Sequence, residues 1–464
     1  MLRAINIAII LSIAAPAVSG APAEVRRDFQ KTVALASGRA FQIDHSLGNI
    51  AIRTHSRAEA EIRASIQCSA DTDAEARAVC DGIQISVQET SSGVMVRTDY
   101  PPEQRRGRRN IGFSVKYDIA VPESAPLDVR NRFGNVIVTD SHAAGSIHNN
   151  NGNVVFSGGR GRQQIENSFG NVEVRTNNGD LIIRNGNGHV TASDITGSVE
   201  VSNRFDNIRL TNVSGGVTIN SNNGTIEVQT AGGPVSIVNS FGPVTLTGIK
   251  ANVNVKNQNG AVRVTDVTGA ADLATSFDGV TFSRIGKTVK IFANNTNVVG
   301  DTVGESAWVE TSFGNVDVRG VKGGAKVTAN NTSITLNDIG GEVDAKTTFN
   351  GVTVNGAAGP ITVEGQNGAV AVEVRTGRCQ PVSLTTSFGP IRLTVPRGVG
   401  YNINARTSFG RVVLTPADGS RPELVPRADS GISGNQEALS ARVSGGGCEV
   451  RLAGRNGNID ILTK

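Results

Sequence analysis

The sequence predicts an all-β protein: a parallel β-solenoid (β-helix) of 18-residue units in a 36-residue Phe/Asn alternation, preceded by a small, mainly-β cap region with one short helix. Three observations predict it. A Phe or an Asn recurs every 18 residues from Phe133 to Asn367, through 14 consecutive units without slippage. Val or Ile stands three residues after each of them, from Val136 to Val370. The chain has 55 Gly and only 4% aromatic residues. That composition suits many short strands joined at tight corners, where Gly and Asn tolerate left-handed backbone.

The Phe series is Phe133, Phe169, Phe205, Phe241, Phe277, Phe313 and Phe349. The Asn series between them is Asn151, Asn187, Asn223, Asn259, Asn295, Asn331 and Asn367. With Phe133 as position 1, the apolar positions of a unit are 4, 6, 9, 13 and 15. Positions 4 and 6, and 13 and 15, have the period of two that marks a strand, so each unit holds two short strands. One unit cannot bury its apolar face alone, and stacking makes the core continuous. Two coil sizes fit. A 36-residue turn would stack Phe on Phe and Asn on Asn in two unbroken ladders. An 18-residue turn stacks Phe over Asn and needs only a narrow core, in which large and small corner residues interdigitate. The two-strand content of a unit favours 18, and 14 such turns at about 4.8 Å make a rod of roughly 65 Å.

The elements divide the chain into four stretches. Residues 1–23 read as a signal peptide, with Arg3 as the positive end, an apolar run from Ile5 to Ala15, and Ala21-Pro22-Ala23 or Val18-Ser19-Gly20 as the cleavage site. The run is shorter than the roughly 20 residues of a membrane span. Residues 24–130 form the cap region. Phe41–Ile43, Ile50–Ile52, Ile62–Ile66, Ile83–Val87 and Phe113–Val121 alternate as half-buried strands do. Asp71–Cys80 between them reads as a helix capped by Asp71 or Thr72 and ended by Gly82. Residues 131–415 are the solenoid repeats, interrupted at Gly377–Pro381 and continued irregularly by Phe388 and Phe409. Residues 416–464 read as a loose loop followed by one last turn at Asn456–Ile459.

Four cysteines, Cys68, Cys80, Cys379 and Cys448, are disulfide candidates, and export would permit bridges. Their spacing suggests Cys68–Cys80 and Cys379–Cys448, although four cysteines allow three pairings. The charge is nearly balanced, with 45 basic and 41 acidic residues, which argues against a nucleic-acid partner. The single basic cluster, Arg105, Arg106, Arg108 and Arg109, reads as a solvated hairpin loop.

No catalytic residue, cofactor site or metal site is expected. Asp180, Asp194, Asp206, Asp266, Asp278 and Asp301 fall at differing positions of the unit and read as turn residues. His45, His55, His142, His148 and His189 have no metal-like spacing and read as exposed strand or turn residues. No nucleophile elbow, phosphate loop or zinc motif is present. Exported β-helix enzymes carry their catalytic groups on long loops between coils, and here 14 units run with no insertion.

Phe41-x-Ile43 with Gly48-Asn-Ile50-x-Ile52, Val121-Pro122, and recurring Phe169-Gly-Asn-Val172 and Asn151-Gly-Asn-Val154 resemble the bacterial "putative adhesin" family of β-strand-repeat proteins, formerly a domain of unknown function. The resemblance covers nearly all of the chain after the signal. It implies a β-solenoid at the cell envelope (periplasm, cell surface or secreted) and brings no catalytic residues. The expected function is an adhesin-like binding or structural protein, its partner an envelope glycan, another surface protein or further copies of itself. The alternatives are an envelope-stress scaffold acting by self-assembly and a degenerate polysaccharide lyase or hydrolase.

Overall fold

The computed structural model describes residues 22–100, 111–375, 377–417, 419, 423–425 and 436–464. The signal-like stretch up to residue 21 and the Arg105–Arg109 cluster lie outside the described residues.

The protein is a parallel β-solenoid of two long facing sheets. Each unit gives one strand to each sheet. Val154 pairs with Val172, and Ile147 with Ile165, so one turn of the coil is 18 residues. Asn151 accordingly lies in register between Phe133 and Phe169. The apolar side chains of both sheets meet in one continuous core, from Ile62 and Ile66 of the N-terminal cap to Ile403 in the last coil.

The corners explain why the buried positions read 4, 6, 9 rather than 4, 6, 8. In the first sheet the pairing steps from Ser157↔Arg175 to Gly159↔Asn177 and skips position 8. That residue is left-handed in coil after coil, at φ 59° in Asp140, Thr176 and Asp194, 56° in Asn212 and 58° in Asp266. The skipped residue acts as a bulge, resets the alternation and turns position 9 inward. The corner before position 4 needs Gly for a different reason. A Cβ on Gly152 would lie 2.2 Å from the carbonyl oxygen of Gly134 in the coil beneath. Where the backbones approach this closely Gly is required, and the coils with Asp206, Asp278 or Asn350 at this position hold the residue in a left-handed conformation instead.

The interior is nearly uniform in Val, Ile, Leu and Ala, and its two largest repeat side chains are matched by glycines. Phe156 and Phe282 both stand at position 6 and are 1% exposed. A Cβ on Gly159 would meet the Phe156 ring at 2.3 Å, and one on Gly300 would meet the Phe282 ring at 2.0 Å. Gly300 sits opposite Phe282 in the next coil.

Both ends are built by coils laid down out of sequence order. At the N-terminal end the strands are β1 (Ala23–Ala34), β2 (Ala40–Leu47), β3 (Ile50–His55), β4 (Glu59–Ala70), β5 (Gln84–Glu89), β6 (Gly93–Asp99), β7 (Gly112–Pro122), β8 (Leu127–Phe133) and β9 (Val136–Thr139), with α1 (Asp73–Gly82) between β4 and β5. β2 and β3 stack on β8 and β9, while β6 and β7 stack outside them, so part of the cap region is itself coiled. Antiparallel strands then close the stack, β4 and β1 on one sheet and β5 on the other. The outermost strand, β1, carries Arg26, Arg27, Asp28 and Lys31, charges that discourage pairing with another chain. The helix starts two residues later than expected, because Thr72 is its cap and accepts the Glu75 amide.

At the C-terminal end the strands Cys448–Asn456 and Ile459–Thr463 insert between two earlier coils. Phe388 pairs with Asn456, and Asn456 pairs with Phe409. Two Phe units that follow one another in the chain are thus separated in space by an Asn unit, and the alternation continues. The Cys448–Cys379 disulfide ties this inserted coil to the segment preceding the Phe388 strand, and Cys68–Cys80 ties α1 to β4.

Candidate functional site: the alternating flank

Position 1 of the unit is on the surface. Phe133, Phe169, Phe205, Phe241, Phe277, Phe313, Phe349, Phe388 and Phe409 are each 45–56% exposed. The expectation that these rings interdigitate inside a narrow core is therefore corrected. The second sheet buries positions 13, 15 and 17, and simple alternation would send position 1 inward as well. The pairing instead steps from Asn149↔Asn167 to Asn151↔Phe169, skipping position 18. The skip breaks the alternation, and the ring turns out to solvent. Between the rings, the Asn of the alternate coils reach back along the stack. Asn187 Nδ2 donates to the Ser168 carbonyl, and Asn367 Nδ2 to the Thr348 carbonyl.

Beside this row runs a furrow built from positions 16–18 of successive coils. Near the N-terminal end it is lined by Asp44, His45 and Ser46 with Arg130, Asn131, Arg132, His148 and Asn150. It continues along His148–Ser240 and then along Lys256–Asn330. Most side chains on its walls are amides and hydroxyls.

The floor of the furrow is a polar ladder that sequence reasoning missed. Position 17 is buried in coil after coil: Asn131, Asn149, Asn167, Asn185 and Asn203, then Ser221, Asn239, Asn257 and Thr275. These side chains hold the adjacent corner closed. Asn149 Nδ2 donates to the Gly152 carbonyl at 3.1 Å and to Asn167 Oδ1 at 3.2 Å. Asn239 Nδ2 does the same toward the Gly242 carbonyl and Asn257 Oδ1. Thr275 and Thr347 replace the amide by donating a hydroxyl to the Phe277 and Phe349 carbonyls. The signal was in the sequence as an Asn, Ser or Thr two residues before each Phe or Asn, but it looked like part of the turn. A second row, at position 3, faces outward: Asn135 Oδ1 accepts the Asn153 amide and Asn153 Oδ1 accepts the Asn171 amide.

His45 begins the buried ladder, in register with Asn131. It is 2% exposed, so the expectation of an exposed turn residue fails for it. Its Nε2 lies 3.0 Å from the Val115 carbonyl and therefore carries the proton. Nδ1 then accepts from Thr98 Oγ1, which accepts in turn from Tyr117 Oη. Desolvation lowers the His45 pKa to about 4, against the pull of the Val115 carbonyl, and desolvation likewise pushes Tyr117 up to about 12. This is a neutral, satisfied cluster that seals the end of the core. His142 and His148 lie beside Glu123 and Glu166 at the surface.

The six Asp residues come together nowhere. Asp194 accepts from Asn212, Asp266 pairs with Arg284, and Asp180 accepts the Ser198 amide. Asp206 and Asp278 cap the amides of the residues that follow them, and Asp301 accepts from Ser283. Each is occupied by its own partner, and no two of them share one. Among the described residues no group of three or more His, Cys, Asp or Glu could hold a metal ion, and no helix is long and apolar enough to cross a membrane. A further feature unseen in the sequence is Trp308, whose ring lies between Lys290 Nζ at 5.7 Å and Lys326 Nζ at 5.8 Å on neighbouring strands of the second sheet.

No protein-family model matches the chain, and no curated protein matches it. Among solved structures it is similar to a "putative cell adhesion protein" from Clostridium sporogenes ATCC 15579, with 9% identity, 94% of this chain and 100% of that chain covered, and a TM-score of 0.15. It is also similar to a "putative adhesin" from Parabacteroides distasonis ATCC 8503, with 12% identity, 67% of this chain and 96% of that chain covered, and a TM-score of 0.19.

Proposed function

We propose that the protein is an exported, non-catalytic, adhesin-like binding protein of the cell envelope, and that the alternating flank is its contact surface. The observation that carries this reading is the regular row of half-exposed Phe side chains, one on every second coil, along one edge of the solenoid. Singly exposed apolar residues are ordinary, but a continuous row of rings at a fixed period marks an interaction surface. The signal-like N-terminus and two disulfides support export. The scattered, hydrogen-bonded carboxylates support a role without catalysis over the degenerate-enzyme alternative. The closed, charged β1 edge gives little support to a scaffold that grows end to end.

The test is retention of the purified chain on isolated envelopes. A variant with Phe241, Phe277 and Phe313 all replaced by Ser is expected to lose most of its retention while keeping its β-rich circular dichroism. Equal retention of the folded variant would remove the flank as the contact surface.

A further inference from the structure

The flank has a period of two coils, and the period holds for polar as well as apolar groups. Exposed Phe rings recur on alternate coils, hence about 9.6 Å apart at two strand spacings. In the strand runs that lead to an Asn of the flank, the residue just before that Asn, position 18, is an exposed amide: Asn222, Gln258, Asn294, Asn330 and Gln366. In the runs of the same stretch that lead to a Phe, the residue before the ring is instead a small hydroxyl, as in Ser240, Ser276 and Ser312. From Asn222 to Gln366 each 36-residue repeat therefore offers one ring and one such amide, both beside the polar furrow. Along Lys256–Asn330 the furrow holds one basic and one acidic side chain, Lys256 and Glu310, so it carries no net field.

Resting on the reading of the flank as a contact surface, we propose that its occupant is an uncharged, extended β-1,4-linked glycan running parallel to the solenoid axis, one disaccharide per two coils. In such a chain successive sugars are flipped, so each face recurs every second ring, close to two strand spacings. The apolar C–H face of alternate sugars stacks on Phe241, Phe277 and Phe313, and hydroxyl groups of the sugars between them reach Gln258 and Asn294. Aromatic rings bury apolar area at little cost in side-chain freedom, and the neighbouring amides satisfy the hydroxyls that stacking takes from water. Two other occupants fit less well. A single-stranded nucleic acid could stack on the rings but needs a basic track along its phosphates, which the Lys256–Asn330 stretch lacks. A second copy docked ring-between-ring would press each Phe onto an amide of its partner and strip that amide of water.

The experiment uses the full exported chain with chitohexaose and cellohexaose as probes, by isothermal titration, with laminarihexaose (β-1,3) and maltohexaose (α-1,4) as controls. Binding is expected to at least one β-1,4 hexamer and to neither control. Affinity should rise by tenfold or more from disaccharide to hexasaccharide, as successive rings engage. Phe277→Ser should weaken hexamer binding at least tenfold, Phe277→Trp should preserve it, and Thr281→Ala, outside the flank, should leave it unchanged. Failure to bind either β-1,4 hexamer, or binding that Phe277→Ser leaves intact, overturns the proposal. If envelope retention depends on the Phe row while no β-1,4 hexamer binds, the glycan proposal fails and the contact surface stands. If neither depends on the row, both fail. A dimer in sedimentation that Phe277→Ser dissociates would assign the row to contacts between copies and overturn the glycan.

Discussion

Gly300 lies directly over the ring of Phe282 in the adjacent coil, so close that a Cβ there would sit 2.0 Å from the ring. The pair fills one layer of a narrow core by joining the largest side chain to the smallest. Gly300→Ala is expected to destabilise by about 1–3 kcal/mol through overpacking, and Phe282→Ala by about 3–5 kcal/mol through the cavity it leaves. Because the two changes share one space, the double variant should be less destabilised than the two single costs combined, by about 1 kcal/mol or more. Thermal or urea unfolding of the four proteins of the cycle measures this. Additive losses would show that the two residues are not coupled.

The inserted C-terminal coil depends on the Cys379–Cys448 bridge. The bridge spans 69 residues of chain, against 12 for Cys68–Cys80. Loop-closure entropy then assigns it about 4 kcal/mol, against about 3 kcal/mol for the shorter loop. Cys448→Ser should therefore lower the thermal midpoint more than Cys68→Ser does. It should also speed protease cleavage near residue 400, since the coil carrying Asn456 holds the Phe409 strand in the stack. Equal cleavage rates would mean that packing alone seats the inserted coil.

His45 sets a pH dependence of known sign. Its folded pKa of about 4 lies below its ordinary value of 6.5, so the unfolded chain takes up the proton first as pH falls. The stability tied to a neutral His45 is present in full above pH 6.5 and is lost as pH falls toward 4, to a total of about 3 kcal/mol. Unfolding midpoints between pH 7 and 4.5 should decline in the native chain. His45→Asn, which places the ladder's usual residue there, should flatten that part of the decline. An unchanged slope would assign the acid sensitivity to other groups.

The position 17 ladder distinguishes between hydrogen bonding and volume. Asn239→Leu leaves Asn257 Oδ1 without its donor and takes from the Gly242 carbonyl one of its two amide donors, the other being Asn257 Nδ2, and should cost about 1–3 kcal/mol. Asn239→Thr should cost clearly less, because Thr275 and Thr347 close the same corner in other coils with a hydroxyl. Unfolding midpoints compare the two. Equal losses would mean that the polar donor is not what the corner requires.

Much of this architecture is legible in single residues. Val136, Val154 and Val172 fall 18 apart and stack 18 apart, because a parallel coil puts equivalent residues in register. The strands at Phe41, Ile50, Ile62, Ile83 and Phe113 were readable from alternation, and α1 from its capping residues. β1 was not legible, because its exposed, charged alternation carries little apolar signal. The candidate site was legible only as a periodicity. Phe169 and Asn187 announced a two-coil repeat, but nothing in their spacing says which way the ring points.

By itself, then, the sequence determined the unit: its length, its two strands, its inward apolar positions, and the Gly and Asn corners that close it. These are local properties, set by side-chain alternation and by which residues tolerate a left-handed or tightly packed backbone. Only the tertiary structure decided that the Phe row faces solvent, that Asn149 and its equivalents lie inside, and that Asn456 separates Phe388 from Phe409. The first depends on one skipped residue in the pairing of neighbouring coils, whereas the second continues the alternation of its own strand and was hidden only because Asn there looks like part of the turn. The third depends on a return of the chain between coils already formed. The facing of the Phe row and the return of the chain are relations between segments distant in sequence, and no local pattern encodes them.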